Sequence, residues 1–338
     1  MRQIEDIRQH LQALGAKPCH EQRIIRAWAQ GRPLSSGGSR QRAEDCLPLR
    51  LRQTLPELEH QLTALVRRRS EHPGDDGSVR LLLELADGQS VESVLLPRDG
   101  LCVSTQVGCA VGCLFCMTGR DGLLRQLGSA EIVGQVVLAR RRRTVKRVVF
   151  MGMGEPAHNL ERVLAAIDLL GNEGGIGHKN LVFSTVGERR IFERLPQQRV
   201  KPALALSLHT TDAVLRARLL PHAPHLEPQE LVELGEHYAR ATGYPIQYQW
   251  TLLAGINDSR EEIERVADWL AGKYAMMNLI PFNAVEDAVF QRPAPEHAAE
   301  LIALLRRRGI VACLRDSAGQ DIDGGCGQLR ARTLKPES

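Results

Sequence analysis

Four of the chain's eight cysteines lie within fifteen residues, from Cys102 to Cys116. The last three, Cys109, Cys113 and Cys116, follow the spacing C-x3-C-x2-C. Thiolates are soft ligands that suit iron, so three of them on one loop can hold an iron–sulfur cluster. A closed zinc site or an electron-transfer cluster usually takes four protein ligands. Three ligands leave one iron open to a substrate or cofactor. Zinc with a remote fourth ligand and three buried structural cysteines remain as alternatives.

A second set of polar residues follows predicted strands. The turn Gly152-Met-Gly-Glu155 would let a ligand approach the backbone, with Glu155 offering a carboxylate beside it. Ser184 and Ser207 could hydrogen-bond a ribose or a carboxylate, or could cap their own turns. His209 is most often structural when it stands alone. Asn283 could bind the edge of an adenine or cap a turn.

A further cysteine, Cys326, stands in a glycine-rich loop near the C-terminus, Asp321-Ile-Asp-Gly-Gly-Cys326-Gly. A reactive thiol needs exposure and a backbone that can move, and this context predicts both. If Cys102 and Cys326 reach the same rim, they can form a transient disulfide. The alternative for Cys326 is an unreactive loop cysteine, and Cys19, Cys46 and Cys313 are interpreted as structural or incidental.

The elements that must position these residues alternate between strand and helix. Such alternation predicts an α/β fold with parallel strands and helices packed outside, here an open, partial (β/α)6 barrel with one further C-terminal strand. Chemistry in such folds collects at the carboxyl ends of the strands, where the candidate residues fall. The predicted strands are 101–106, 146–151, 180–184, 202–208, 246–252, 276–281 and 310–314. The predicted helices are 129–143, 160–172, 188–195, 228–242, 259–271 and 295–308.

The pattern also predicts four segments. Residues 1–69 form a small helical accessory domain with a surface that could contact RNA, and its third helix runs from Pro48 to Arg69. Residues 70–98 form a linker and a β-hairpin, with strands at 79–85 and 91–96. Residues 99–330 form the catalytic domain, and 331–338 form a short C-terminal tail.

The composition excludes several classes of protein. The 338 residues are 43% hydrophobic and 25% charged, which is typical of a globular chain rather than a disordered one. No apolar run approaches the length of a membrane span, and the polar N-terminus lacks a signal-peptide core. A cytoplasmic location is therefore expected, where cysteines more often bind metal or catalyse than form a disulfide framework. The net charge of +4 permits a polyanionic partner without requiring one.

Five motifs, in this order along the chain, together resemble one family, the radical-SAM (radical S-adenosylmethionine) adenine-C2 RNA methyltransferases, or RlmN/Cfr family. The resemblance covers most of residues 85–330 and implies a radical-SAM barrel with an N-terminal accessory domain. The motifs are Cys102-Val-Ser-Thr-Gln-Val-Gly-Cys109, Gly152-Met-Gly-Glu-Pro156, Ser207-Leu-His209, Asn278-Leu-Ile-Pro-Phe-Asn283 and Asp321-Ile-Asp-Gly-Gly-Cys326-Gly-Gln-Leu329.

The resemblance also implies a mechanism and its residues. In that family one S-adenosylmethionine methylates a loop cysteine, here Cys326, and a second is cleaved at a [4Fe-4S] cluster to a deoxyadenosyl radical. The methyl carbon then adds to the adenine, and the resolving cysteine, here Cys102, releases the product through a transient disulfide. Glu92 matches the proton acceptor. The implied cluster ligands are Cys109, Cys113 and Cys116, and the implied S-adenosylmethionine contacts are Gly154, Glu155, Ser184, Ser207, Leu208, His209 and Asn283.

The implied partners are ribosomal or transfer RNA and a reducing electron donor such as a flavodoxin, with no membrane and a monomeric protein. Two alternatives use the same cluster: methylation of a different RNA position (C8), or action on a protein or a small molecule. A third is a noncatalytic iron–sulfur or zinc RNA-binding protein. The last would have no need of Glu155 or the other polar residues at strand ends.

Overall fold

The computed structural model describes residues 1–35, 47–283 and 289–315. Cys46, Cys326 and the predicted tail at 331–338 lie outside these ranges. The helices of the described chain are α1 (Ile4–Ala13), α2 (Pro18–Ala29), α3 (Leu49–Ala64), α4 (Ser129–Arg140), α5 (Leu160–Asn172), α6 (Arg189–Arg194), α7 (Ala213–Leu219), α8 (Pro228–Thr242), α9 (Arg260–Leu270) and α10 (Pro295–Arg307).

The strands are β1 (Val66–Pro73), β2 (Val79–Leu85), β3 (Ser90–Leu96), β4 (Gly100–Cys102), β5 (Gln106–Gly108), β6 (Leu123–Gln126), β7 (Arg147–Phe150), β8 (Leu181–Thr185), β9 (Ala203–Ser207), β10 (Ile246–Leu252), β11 (Ala275–Pro281) and β12 (Val311–Leu314). One large sheet organises the molecule, in the order β1-β2-β3-β4-β7-β8-β9-β10-β11-β12, and β5 pairs separately with β6. From β4 to β12 neighbouring strands are parallel, whereas β1 to β4 are antiparallel.

The two faces of this sheet differ in chemistry because side chains alternate along a strand. On β10, Ile246, Tyr248 and Trp250 belong to the large core that the helices cover. Gln249 and Thr251, on the opposite face, line a cavity inside the partial barrel. The outer face therefore supplies the large hydrophobic core, and the inner face carries the polar groups of the cavity together with a small apolar cluster around Cys102.

The predicted α/β architecture is confirmed, with the open (β/α) barrel and its added strand β12. The predicted hairpin is present as β2 and β3. The prediction that the third helix continues to Arg69 is wrong, because the helix ends at Ala64 and the three arginines Arg67 to Arg69 lie on β1. Pairing with β2 satisfies the backbone hydrogen bonds of β1, and this outweighs any local preference for helix.

Two other differences concern the loops around the site. The predicted strand 101–106 is two short strands, β4 and β5, which belong to different sheets. The helix α7 is an addition, because no helix was predicted between residues 208 and 228. Its start carries a recognisable signal, since the Asp212 carboxylate accepts hydrogen bonds from the N–H groups of Val214 and Leu215.

The N-terminal helices pack against the barrel. The Ile4 N–H donates to Ser129 Oγ at 2.9 Å, at the start of α4, and residues of α1, α2 and α3 join the same hydrophobic core as the sheet. The arginine run at 140–143 contributes to this contact. Arg140 donates to the carbonyl oxygens of Ala29 and Gly174 at 2.7 and 2.8 Å, so this guanidinium has a structural role. The division into accessory and catalytic domains stays a prediction.

Among the described residues, no helix is long and apolar enough to cross a membrane.

Candidate active site

The three clustered cysteines lie on the loop that follows β5. A tight backbone contact with the neighbouring loop closes this segment: the Cys109 N–H donates to the Gly122 carbonyl oxygen at 3.0 Å. Gly108 has a φ of 79°, and a Cβ atom there would meet the Gly122 oxygen at 2.0 Å. Only glycine fits both requirements, so this residue fixes where the cysteine loop begins.

The thiols of Cys109, Cys113 and Cys116 are close enough to influence one another. Burial raises the pKa of Cys109 to about 12, and the neighbouring Glu155 and Cys116 add to the effect. Burial also raises the pKa of Cys113, followed by the effects of Cys116 and Cys109. A bound metal centre would lower these pKa values, because the thiolate is the form of cysteine that binds a metal. Their softness and mutual proximity fit iron.

No three His, Cys, Asp or Glu side chains in the described ranges converge on a single ion-sized position. An iron–sulfur cubane does not need such convergence, because each cysteine binds a different iron of an extended group. The donor set on this loop therefore fits a cluster.

The turn after β7 brings Glu155 beside the cysteine loop. Gly154 has a φ of 104°, and a Cβ atom there would meet the Gln106 side chain at 2.6 Å. Gln106 Oε1 accepts a hydrogen bond from the Glu155 N–H at 2.7 Å. The Glu155 carboxylate accepts from the N–H groups of Ala157 and Val186, each at 2.9 Å. The turn is thus held from both sides, and Glu155 is 4% exposed.

We expect Glu155 to make stability depend on pH. Burial raises its pKa to about 7 from an ordinary 4.5, against the opposing effect of its hydrogen bonds. A raised carboxyl pKa contributes stability that is complete below pH 4.5 and is lost as the pH rises through 7. The cluster-free protein should therefore lose up to about 3 kcal/mol over this window through Glu155. Urea unfolding at pH 4.5 and at pH 7.5 measures this loss as a difference in the free energy of unfolding.

The matched variant for this prediction is Glu155→Gln, which cannot ionise. Its free energy of unfolding should change less between these two pH values than that of the wild type. Equal pH dependence in both proteins would contradict the raised pKa.

A cavity of about 260 Å³ joins the cysteine loop to the carboxyl ends of the parallel strands. All three clustered cysteines line it. So do most of the residues that the sequence nominated for S-adenosylmethionine: Gly154, Glu155, Ser184, Ser207, His209 and Asn283. The parallel sheet explains this convergence, because the strand ends meet at one edge of the barrel.

His209 is held in one orientation at the edge of this cavity. Its Nδ1 accepts a hydrogen bond from the Thr251 N–H at 3.0 Å, and its ring packs edge-on against Phe115 with 4.9 Å between centroids. Burial lowers its pKa to about 3, helped by the charge of Arg216. The ring is therefore neutral at physiological pH, with its proton on Nε2 as a donor for a cavity ligand. Its φ of 63° is a strained value for a residue with a Cβ.

Leu208 differs from its neighbours Ser207 and His209. Its side chain is fully buried in the core under the helices and does not line the cavity. Only its backbone could serve a ligand, and its N–H donates to the Gln249 carbonyl oxygen at 3.0 Å. The predicted contact at Leu208 is thus restricted to main-chain atoms.

Cys102 and Glu92 lie below the cavity on the inner face of the sheet. Cys102 pairs with Val94 on one side and with Val149 on the other. Met151 both lines the cavity and packs against the small cluster around Cys102, so Cys102 lies one residue layer beneath the cavity. Glu92 is two residues before Val94 on β3 and therefore faces the same way.

Glu92 forms a buried ion pair that the sequence analysis did not predict. Its Oε2 accepts from Arg80 Nη1 at 3.0 Å, and the two side chains are 3% and 2% exposed. Burial raises the pKa of Cys102 to about 12; Arg80 opposes this rise and Glu92 adds to it. The thiol is therefore protonated at neutral pH and needs a proton acceptor before it can act as a nucleophile.

The residues that sequence reasoning missed are polar groups that hold the site together. Ser104 Oγ donates to the Glu92 carbonyl oxygen at 2.5 Å and accepts from the Met153 N–H at 2.9 Å, which ties β3 to the glycine turn. Gln106 holds the same turn through Glu155. Arg80 offered one signal, since it and Glu84 are the two charged residues of an otherwise apolar strand, Val79-Arg-Leu-Leu-Leu-Glu-Leu85.

Comparisons with known proteins agree on one family. The family model described as the Radical SAM superfamily matches residues 103–270. A probable RNA methyltransferase of Azoarcus sp. (strain BH72) is 70% identical over 332 residues, which are 98% of this chain and 95% of that protein. A probable RNA methyltransferase of Aromatoleum aromaticum is 71% identical over 331 residues, 98% and 93% of the two chains.

A solved structure agrees with the sequence relatives. The crystal structure of a radical SAM methyltransferase from Sphaerobacter thermophilus superposes with a TM-score of 0.83 at 34% identity. The superposition covers 96% of this chain and 97% of that one. The chain therefore belongs to the radical SAM superfamily and is a radical SAM RNA methyltransferase.

Proposed function

We propose that this enzyme methylates C2 of an adenine in ribosomal or transfer RNA, with Cys326 carrying the methyl group and Cys102 resolving the protein–RNA intermediate. The observation that supports this most is the cavity at the strand ends, which joins three clustered cysteines to Glu155 and the other strand-end polar groups. Cys102 and Glu92 lie on the inner face of the same sheet, one layer below.

Membership of the radical SAM superfamily implies S-adenosylmethionine and an iron–sulfur cluster. We propose a [4Fe-4S] cluster held by Cys109, Cys113 and Cys116. The backbone at Gly154 and the side chain of Glu155 would meet the amino group of S-adenosylmethionine. The remaining contacts would come from Ser184, Ser207, the Leu208 backbone, His209 and Asn283. Bound together, these groups supply the one-electron cleavage and radical chemistry that the protein's own side chains lack.

The low reactivity of adenine C2 explains why the proposed reaction needs both Cys102 and Cys326. This carbon is not nucleophilic, so a polar methyl transfer cannot work there. A methyl group carried on Cys326 and joined to the base divides one difficult step into easier ones. Attack by the Cys102 sulfur on the Cys326 sulfur would then form a disulfide and break the bond between Cys326 and the transferred carbon. That carbon would leave with the electron pair of the broken bond and take a proton to complete the methyl group. Glu92 would accept the proton from C2.

The target base must leave its stack to enter the barrel, because the cavity lies at the carboxyl ends of buried strands. We therefore expect RNA binding to depend on shape, stacking and phosphate contacts around the mouth. We propose that the protein acts as a monomer and receives its electron from a reduced protein such as a flavodoxin.

The direct test is mass spectrometry of nucleosides from total RNA of cells with and without this protein. The expected result is that 2-methyladenosine disappears from at least one RNA when the gene is deleted and returns when it is restored. Loss of 8-methyladenosine instead would move the reaction to C8. No change in RNA, together with a modified protein or small molecule, would overturn the RNA assignment of this site.

A second measurement tests the carrier step. The purified enzyme is given S-adenosylmethionine with a fully deuterated methyl group over many turnovers. A methyl group carried on Cys326 and activated there loses one deuterium, so the product should retain two. A product that keeps all three deuterium atoms would mean that the methyl group moves intact, and the proposed role of Cys326 would be wrong.

A further inference from the structure

A buried arginine on α7 contacts the strand ends that line the cavity, and its helix contacts the cysteine loop. Arg216 is 3% exposed. Its Nη2 donates to the carbonyl oxygen of Val186 at 2.5 Å and to that of Ser207 at 3.0 Å, and both of these residues line the cavity. The N–H of the same Val186 donates to the Glu155 carboxylate at 2.9 Å. Arg216 and Glu155 thus share one peptide segment of the site.

The helix that carries Arg216 also supports the cysteine loop. The Leu114 N–H donates to the Leu219 carbonyl oxygen at 3.0 Å, and the His222 N–H donates to the Val111 carbonyl oxygen at 3.2 Å. Val111 and Leu219 belong to a small hydrophobic cluster against which Cys109 and Cys113 pack. The position of the guanidinium is therefore fixed relative to the thiols.

The charge on Arg216 is only partly compensated within the described residues. Its Nε is buried and has no hydrogen-bond partner among them. Glu155 receives its hydrogen bonds from backbone N–H groups and from the Thr185 side chain, and the described hydrogen bonds of this guanidinium go to carbonyl oxygens instead. Burial lowers the pKa of Arg216 to about 10, while Cys113 and Glu155 oppose that shift, so the group is charged at neutral pH. A buried cation is costly without an anion, and an anionic group in the adjacent cavity would offset that cost.

We propose that Arg216 is a positioning residue that supplies a fixed positive charge to the iron–sulfur cluster. The inference rests on the proposed ligation by Cys109, Cys113 and Cys116. Three thiolates bring negative charge to the loop, and reduction of the cluster by one electron adds one more. A nearby cation stabilises the reduced state more than the oxidised state. Arg216 should therefore raise the reduction potential of the cluster and ease entry of the electron.

The test compares three variants of the reconstituted full-length enzyme, without RNA or S-adenosylmethionine. Arg216→Gln removes the charge, Arg216→Lys keeps it, and Arg218→Gln removes an exposed charge two residues away on the same helix. An anaerobic redox titration followed by electron paramagnetic resonance measures the potential. We expect Arg216→Gln to lower the equilibrium constant for reduction about tenfold, which is about 59 mV for a one-electron couple. Arg216→Lys should stay close to the wild type, and Arg218→Gln should match it.

Each outcome decides the proposal. Equal potentials for Arg216→Gln and Arg218→Gln would overturn it. If Arg216→Gln fails to take up iron and sulfide, Arg216→Lys decides instead. If Arg216→Lys takes up the cluster and has the wild-type reduction potential, the proposed role of the positive charge is supported. If neither variant takes up the cluster, Arg216 has a structural role and the proposal is wrong. If the wild type itself forms no cluster, the proposed ligation fails, and the role of Arg216 fails with it.

Discussion

The Cys102→Ala enzyme is expected to stop with RNA covalently attached to the protein. Without the Cys102 sulfur nothing attacks Cys326, so the bond between Cys326 and the transferred carbon persists. Product release should fall by at least about 10³-fold, while cluster content stays at the wild-type level because Cys102 is not among the three ligands. Denaturing gel electrophoresis with labelled RNA measures the adduct, and nucleoside mass spectrometry measures the product.

Two further variants show whether the adduct forms at Cys326. Adding Cys326→Ala to Cys102→Ala should abolish it, because the methyl carrier is then absent. Cys313→Ala is the matched control, since Cys313, like Cys102, forms no disulfide within the described residues, is half-buried and lies on β12. We expect it to release product like the wild type and accumulate no adduct. Full methylation by Cys102→Ala, without an adduct, would remove Cys102 from the mechanism.

The placement of Cys102 was predictable from the sequence only in part. The sequence predicted Cys102 near the start of a strand at 101–106, whereas Cys102 is the last residue of β4. The bounds of α8 and β10 were predicted correctly, because their apolar residues are periodic. Burial was not readable, since it depends on which strands pack around the residue. Cys102 is 7% exposed beneath Met151 because β3 and β7 flank it.

In the candidate site, too, some residues could be identified from the sequence and others only from the fold. The Cys109 to Cys116 spacing and the Gly-Met-Gly-Glu turn carry their chemistry locally, so the sequence identified them. Arg216 is different, because its proposed role depends on contacts with Val186 and Ser207, and neither of these residues belongs to α7. Its own stretch of sequence does not reveal those contacts. Arg67 to Arg69 were predicted in a helix for the same reason, since only pairing with β2 makes this segment a strand.

Glu92→Gln is expected to weaken both stability and catalysis. The substitution removes the negative partner of Arg80 from a buried site where the two side chains are 3% and 2% exposed. Breaking a buried pair by removing one partner should lower the free energy of unfolding by about 3 kcal/mol. The variant also lacks the proposed proton acceptor, so methylation should fall by about 10²-fold or more. Urea unfolding and single-turnover product formation measure the two effects separately.

A double variant separates the two roles of Glu92. Arg80→Gln with Glu92→Gln removes both charges, so much of the lost stability should return. Methylation should not return, because the acceptor is still absent. Glu264→Gln, which breaks the exposed pair with Arg260, is the surface control and should change neither quantity measurably. If the double variant regained methylation with its stability, Glu92 would act only by balancing Arg80, and the proton from C2 would have to go elsewhere.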